Sequence, residues 1–284
     1  MNLTSPSQVK AWCIENDFHP NKVLGQNFLI DRNALESIVN AGLEGVVPRT
    51  PGARLDVLEI GPGLGVLTEE LLHRGVAVTA IEKDPVLAAR LAEALGKPEG
   101  LTVLAADALE VVGRSQPGEL AFDAMVSNLP YQAGTRILLE LVKQRALPSM
   151  TVLVQAEVAE RLAAREGSKT RSLAGVWVQL DYDVKIVRKV AASCFWPRPE
   201  IGSSVVRLTR HDRNVGFSQE ERDFFAKLTK KAFEHRRKQL GSIFKDMIKS
   251  TARAEELSNA DWLSLTRELV AVERSWQTTN SQQG

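Results

Sequence analysis

The sequence predicts an α/β fold, a doubly wound sheet followed by a small all-α C-terminal domain. Short apolar runs alternate with stretches of helical periodicity from Leu55 to Val154. A glycine-rich turn, Gly61-Pro62-Gly63-Leu64-Gly65, separates the first run from the first of those helices. From Ser218 onward the apolar residues recur at helical spacing. Such β-α-β alternation implies parallel strands with helices on both faces of the sheet.

Composition sets the outer bounds. A chain of 284 residues makes one large domain or two ordinary ones. An apolar fraction of 44% with 25% charge is that of a soluble globular protein. The chain holds no run of about 18 apolar residues, which excludes a membrane-spanning helix. The opening MNLTSPSQVKAWC lacks the basic start and apolar core of a secretory signal. Cys13 and Cys194 offer no disulfide framework, and His19, His73, His211 and His235 show no zinc spacing. The chain reads as cytoplasmic, monomeric and free of metal, with no membrane association.

Residues 1–24 form a helical or irregular lead-in. In Leu24-Gly25-Gln26-Asn27-Phe28-Leu29 a glycine marks a turn and two amides stand beside two apolar anchors. A loop packed by Phe28 and Leu29 explains that stretch as well as a functional role does. Asp31 can cap a helix through Ala34, Leu35, Ile38 and Val39, ending near Gly42.

Leu55 to Ile60 is the first strand, and the glycine turn leads into a helix through Leu67, Leu71 and Leu72. Val76 to Ile81 is the second, ending in Glu82. A helix through Val86, Leu87, Leu91 and Leu95 leads to a third strand, Leu101 to Ala105, with Asp107 just beyond. Phe122 to Val126 is the fourth, followed by Asn128-Leu129-Pro130-Tyr131 and a helix through Ile137, Leu138 and Leu141. Val152 to Val154 is the fifth.

The pattern then changes. Ala156 to Ala164 and Leu173 to Leu180 read as helices around a polar, basic loop, Gly167 to Arg171. Val184 to Val190 and Ser204 to Leu208 read as strands joined through Phe195-Trp196-Pro197-Arg198-Pro199, which its prolines hold extended. A composition shift at Arg210 to Gly216 sets the domain boundary, giving 1–212 and 213–284. Ser218 with Glu221 makes a capping box for a helix through Phe224, Phe225, Leu228 and Phe233. A second helix carries Leu240, Ile243, Phe244 and Met247, and Ser258 with Asp261 starts a third.

Ligands of doubly wound sheets lie beyond the carboxyl ends of the strands, and there the polar residues gather. The glycines at 61, 63 and 65 let backbone approach a ligand closely, and Glu82, 21 residues after Gly61, can accept both hydroxyls of a ribose. The G-x-G-x-G spacing suits the tail of S-adenosylmethionine better than a pyrophosphate. Asp107 can accept from an adenine amino group or serve as a helix cap. The side-chain oxygen of Asn128 and the backbone carbonyl of Leu129 or Pro130 can accept the two N–H bonds of an exocyclic amine. The nitrogen then becomes more tetrahedral and its lone pair turns toward a methyl donor. Tyr131 offers a π face to a base, and Phe195 either supplies the other side of a sandwich or fills the core. Between Lys227 and Lys249 stand eight Lys or Arg residues, among them Lys230 and Lys231, against Glu234 and Asp246. That charge suits phosphates and suits a solvated helical face equally.

In order along the chain stand GQNFL at 25–29, EIGPGLG at 59–65, IE at 81–82, DA at 107–108, NLPY at 128–131, FWPRPEIGSS at 195–204 and KAFEHRRKQL at 231–240. Together they closely resemble the KsgA-type small-subunit ribosomal RNA adenine dimethyltransferases. The resemblance runs from about Val23 to Leu269. It implies a Rossmann-like class I methyltransferase sheet, S-adenosylmethionine as methyl donor, and N6,N6-dimethylation of two adjacent adenines in a hairpin near the 3′ end of 16S rRNA, in small-subunit assembly. Carried over by motif, cofactor contacts fall on Asn27, Leu29, Gly61, Gly63, Glu82, Asp107 and Asn128. The target-base pocket falls on Asn128, Leu129, Pro130, Tyr131 and Phe195, and Arg236, Arg237 and Lys238 belong to an RNA-binding helix. The chain departs from the family pattern at Gln132-Ala133-Gly134, at Ile201, and in having only Lys22 ahead of GQNFL.

Rival readings are an Erm-type enzyme acting on 23S rRNA, an NAD-dependent dehydrogenase, and an assembly factor that keeps the fold without turnover. KAF-x-x-RRK and NLPY favour the 16S enzyme over the first. The crevice offers no convincing catalytic His or Lys for the second, and intact Asn128 and Tyr131 argue against the third.

Overall fold

The computed structural model describes residues 1–21, 24–115, 119–245 and 247–281. They fall into two compact units, Met1–Ala159 with Tyr182–Arg210, and Glu160–Asp181 with His211–Gly284.

In the first unit, α1 (Pro6–Glu15), β1 (Phe28–Leu29) and α2 (Arg32–Leu43) precede the main alternation. That alternation runs β2 (Asp56–Ile60), α3 (Val66–His73), β3 (Ala77–Glu82), α4 (Pro85–Ala94), β4 (Leu101–Ala105), α5 (Ala108–Arg114), β5 (Ala124–Asn128), α6 (Gly134–Gln144) and β6 (Ser149–Gln155). After α7 (Ala156–Ala163) and α8 (Leu173–Asp181), the chain adds β7 (Tyr182–Val190), β8 (Phe195–Trp196) and β9 (Ser203–Arg210).

The main sheet has the order β4-β3-β2-β5-β6-β9-β7. Its first five strands are parallel, as the alternation predicts. β9 runs antiparallel to both β6 and β7, so the sheet as a whole is mixed. The reason is the connection: residues 191–202 carry no crossover helix, and only antiparallel neighbours can be joined without one. The strand order reverses between β2 and β5, which is where an open α/β sheet forms its ligand crevice.

Local chemistry explains the framing elements. Asp31 caps α2 by accepting from the Ala34 N–H at 2.7 Å, and α2 packs on β5 so closely that Gly42 faces Val126. Ser127 Oγ accepts from the Ile60 N–H at 2.9 Å, tying β5 to β2 at the level of the crevice. At the opposite end, buried Asp123 accepts from the backbone N–H groups of Arg49 and Asp56, each at 2.8 Å. The core between sheet and α2/α3 includes Leu35, Ile38, Leu67, Leu71, Val126 and Phe195.

The second unit holds α8, α9 (Gln219–Glu234), α10 (Leu240–Ile243) and α11 (Asn259–Ser281). Its core joins Val176 and Leu180 to Phe217, Phe225, Leu228, Trp262 and Leu269. Residues 160–181 therefore group with the C-terminal helices, although the boundary expected from composition lay at 212/213. Composition marks the exposed turn after β9 but cannot register that α8 turns its apolar side to α9. The capping box is present, with Ser218 Oγ accepting from Glu221 N–H at 3.2 Å and the Glu221 carboxylate from Ser218 N–H at 2.6 Å. Ser258 and Asp261 make the same reciprocal pair at the start of α11. The second C-terminal helix expected through Met247 is a single turn, Leu240–Ile243, after which the Met247 and Ile248 N–H groups both turn to the Phe244 carbonyl and Met247 lies exposed.

Candidate active site

A cavity of about 430 Å³ opens at the carboxyl ends of β2, β3, β4 and β5, within the range for a small-molecule site. Asn27, Leu29, Gly61, Gly63, Glu82, Asp107, Asn128, Leu129, Pro130 and Tyr131 all line it. Residues spread over more than a hundred positions of sequence are thus gathered around one cavity.

The floor is the β2–α3 turn. Gly61, Gly63 and Gly65 take φ of 68°, 58° and 90°, a left-handed conformation that side chains disfavour. Space reinforces the requirement, since a Cβ on Gly63 would lie 3.0 Å from Phe28 Cε1. Glu82 is buried at the end of β3, and its carboxylate accepts from the N–H groups of Gly63 at 3.0 Å and Asp84 at 2.9 Å. Burial raises its pKa and these backbone donors pull it back. A carboxylate has about four acceptor sites, so two bonds leave capacity for ribose hydroxyls.

Glu59, on β2, was not singled out from sequence and also lines the cavity. It is 1% exposed, accepts from Thr68 Oγ1 at 2.7 Å, and desolvation pushes its pKa up to about 8. An acid that follows Val57 and Leu58 at the crevice end of β2, two residues before the glycine turn, is the signal that marks it. Asp107 caps α5 through Leu109 N–H at 2.8 Å and pairs with Lys83 Nζ at 2.8 Å. The Lys83 ammonium holds its carboxyl below the usual range. Cap and ligand prove compatible roles: the carboxylate keeps open acceptor sites on the cavity wall.

The loop at Gly25 to Phe28 closes the other side. Gln26 Nε2 donates to Asp84 Oδ2 at 2.9 Å, clipping this loop to the start of α4. Asn128 Nδ2 donates to the Asn27 backbone carbonyl at 3.1 Å. That bond fixes the amide flip and leaves Oδ1 as the acceptor. Of the two backbone carbonyls considered for an amine, that of Pro130 already accepts from Gly134 N–H at 2.7 Å, so Leu129 offers the freer oxygen. Tyr131 OH lies 2.5 Å from Ser203 Oγ.

Phe195 is not brought to the cavity. It is 2% exposed, pairs with Leu29 in the β1–β8 ladder, and meets Tyr131 edge-on, with centroids 6.5 Å apart and planes at 70°. A base sandwich needs two roughly parallel faces, so in this arrangement Phe195 packs behind Tyr131 and does not form a second face.

The cationic residues lie in the second unit. Lys230 and Lys231 are exposed on α9, and Lys231 Nζ stands 5.3 Å over the Phe244 ring. Arg236, Arg237 and Lys238 are in the turn after α9 rather than on a helix, since α9 ends at Glu234 and Gln239 bridges to Arg253. Arg236 is engaged within the unit, donating to the Lys169 carbonyl at 2.6 Å and pairing with Glu255 at 3.5 Å. Arg237 and Lys238 are exposed.

The family model described as ribosomal RNA adenine dimethylase matches residues 17–271. The chain belongs to the ribosomal RNA adenine dimethylase family. Among curated relatives, the ribosomal RNA small subunit methyltransferase A of Moorella thermoacetica is 38% identical over 247 residues, covering 84% of this chain and 83% of that protein. A dimethyladenosine transferase from Plasmodium falciparum superposes with a TM-score of 0.71 at 23% identity, over 86% of this chain and 97% of the other, and shares the fold. The 23S rRNA methyltransferase ErmE superposes with a TM-score of 0.66 at 26% identity, over 86% and 99% of the two chains. This adenine dimethylase is thus an enzyme with a Rossmann-like methyltransferase sheet and a methyl donor of the S-adenosylmethionine type.

Proposed function

We propose that this chain uses S-adenosylmethionine to dimethylate N6 of two adjacent adenines in a hairpin near the 3′ end of 16S rRNA during small-subunit assembly. The observation that carries the reading is the orientation of Asn128, whose Nδ2 is committed to the Asn27 carbonyl. The residues present fit the donor: a left-handed glycine cradle, the buried carboxylate of Glu82, and Asp107 held ionised by Lys83. When bound, S-adenosylmethionine supplies an electrophilic methyl group on a sulfonium.

The chain's own residues then act by positioning. Asn128 Oδ1 and the Leu129 carbonyl accept the two N–H bonds of the target amine, withdrawing its lone pair from the ring and aiming it. Tyr131 stacks on the base, and Pro130 stiffens the turn between the two groups. Gly61 faces Pro130 across this turn in the left-handed conformation, φ 68°, that favours glycine. Preorganised dipoles and near-attack placement supply the acceleration, and no general base is required before transfer because the amine sheds its proton readily once alkylated. Exposed Lys230, Lys231, Arg237 and Lys238 neutralise phosphates of the RNA.

The test is methyl-donor labelling of undermethylated small ribosomal subunits, with mapping of the modified bases. Label on two adjacent adenines near the 3′ end of 16S rRNA is expected. Label confined to 23S rRNA in isolated large subunits would replace the reading with the Erm-type one that the likeness to ErmE favours.

A further inference from the structure

We infer that Ser203 is a positioning residue for methyl transfer, its hydroxyl pinning the Tyr131 phenol so that, with Phe195 against the ring, the face on which the target base stacks is held in place. The inference rests on the stacking role of Tyr131 in the function proposed above.

The two partners differ in how their backbones are held. Tyr131 lies in the turn between β5 and α6, outside any strand or helix. Ser203 is on β9 with ladder partners on both sides, Gln155 of β6 and Val190 of β7, and is 1% exposed. A rigid residue can therefore hold a less constrained one. The contact is short, 2.5 Å between the two hydroxyl oxygens, and a largely buried phenol needs such a partner.

A second contact falls on the same ring. Phe195 meets Tyr131 edge-on at 6.5 Å, and Phe195 and Ser203 are the two ends of the proline-rich connection from β8 to β9. The segment 195–203 thus grips Tyr131 at its ring and at its oxygen. Two rotations are open to a tyrosine side chain, and stacking on a base survives only if both are fixed. Rotation about Cα–Cβ swings the phenol oxygen and is restrained by the hydroxyl pin. Rotation about Cβ–Cγ leaves that oxygen in place and turns only the ring plane, which the packing of Phe195 restrains. Ser203 itself is absent from the cavity wall, so it acts through Tyr131 and touches no reacting atom.

The test compares Ser203→Ala, Tyr131→Phe and the double variant on undermethylated small subunits. Each single change should lower kcat about tenfold, the scale of one lost hydrogen bond. The double variant should be no worse than either single one, with S-adenosylmethionine affinity unchanged throughout. Wild-type kcat in either single variant, or losses that multiply in the double variant, would overturn the inference. Tyr131→Phe keeps the test open should Ser203→Ala fail to fold.

A readout independent of catalysis uses the two tyrosines of the chain, Tyr131 and Tyr182. In alkaline absorbance titration, Ser203→Ala should move upward the phenol transition that Tyr131→Phe removes, because the Ser203 bond lowers it. An unmoved transition sinks the pin even if the wild-type chain is active. A moved transition in a chain that transfers no methyl group sinks the methyl-transfer role instead.

Discussion

Asn128 Nδ2 donates to the backbone carbonyl oxygen of Asn27 at 3.1 Å, a bond between residues 101 positions apart. It joins the end of β5 to the loop ahead of β1. It also makes the acceptor face of the amide the one left for a substrate.

Replacing Asn128 by Ala removes that acceptor while leaving the strand intact. Methyl transfer should fall by roughly 10²- to 10³-fold in kcat, the usual scale for one aimed polar group in an active site. Thermal unfolding should stay near wild type. A variant with near-normal kcat in a labelled-methyl assay would refute the hydrogen-bond role.

Glu59 gives the protein a pH signature. Its ordinary pKa is 4.5, and burial in the native state pushes it up to about 8. Between those values the folded protein keeps a proton that the unfolded chain has released. The contribution of Glu59 to stability should thus be fullest below about 4.5, fall as pH rises at about 1.4 kcal/mol per unit, and level off above about 8. Urea unfolding across pH 5–9 reads the slope. Glu59→Gln should flatten it and be the more stable protein at pH 8; an identical slope in that variant would exclude Glu59 as its source.

Gly42 is required by its neighbour. A Cβ at this position would lie 2.5 Å from Val126 Cγ2, closer than atoms in a core tolerate. Gly42→Ala should destabilise by about 1–3 kcal/mol through overpacking. Adding Val126→Ala should recover part of that loss, measured as non-additivity in denaturant midpoints.

The cations after α9 should separate by role. Arg237→Ala should weaken RNA binding and reduce the slope of log K against log salt by roughly one, with stability unchanged. Arg236→Ala should instead lose about 1 kcal/mol of stability, because Arg236 is bonded to the Lys169 carbonyl and paired with Glu255. Equal salt slopes and equal midpoints in the two variants would contradict this division.

Much of the fold is legible in the chain because the signals are local. Asp31, Ser218 and Ser258 act on N–H groups within three residues, and each is found capping the helix it was expected to start. The first four expected strands fall within two residues of their places, whereas β6, β7 and β9 come out longer than their apolar cores suggest, as with Ser149–Gln155 around Val152 to Val154, since polar residues complete a ladder once its neighbours are in place. α5 spans seven residues, too short for a helical period to show, and only the cap reading of Asp107 points to it.

The site was legible wherever a motif stands at a strand end. Gly61, Glu82, Asp107 and Asn128 each follow an apolar run, and the crevice collects them all. Phe195 shows the opposite case: its ring type suits stacking, but its direction is set by the β1–β8 ladder and by Tyr131. Lys83 carries no pattern of its own, and Ser203 stands in the 195–204 motif without a role that the motif assigns; their roles exist only beside Asp107 and Tyr131.

The sequence by itself determined the succession of strands and helices, the glycine cradle and the residue types that bear the chemistry, because periodicity, caps and turns are decided within a few residues. Only the tertiary structure decided which way the Asn128 amide points, that Glu59 is desolvated beside Glu82, that β9 enters antiparallel, and that α8 joins the C-terminal core. Each of these depends on groups far apart in the chain being brought within bonding or packing distance, and no local pattern encodes that meeting.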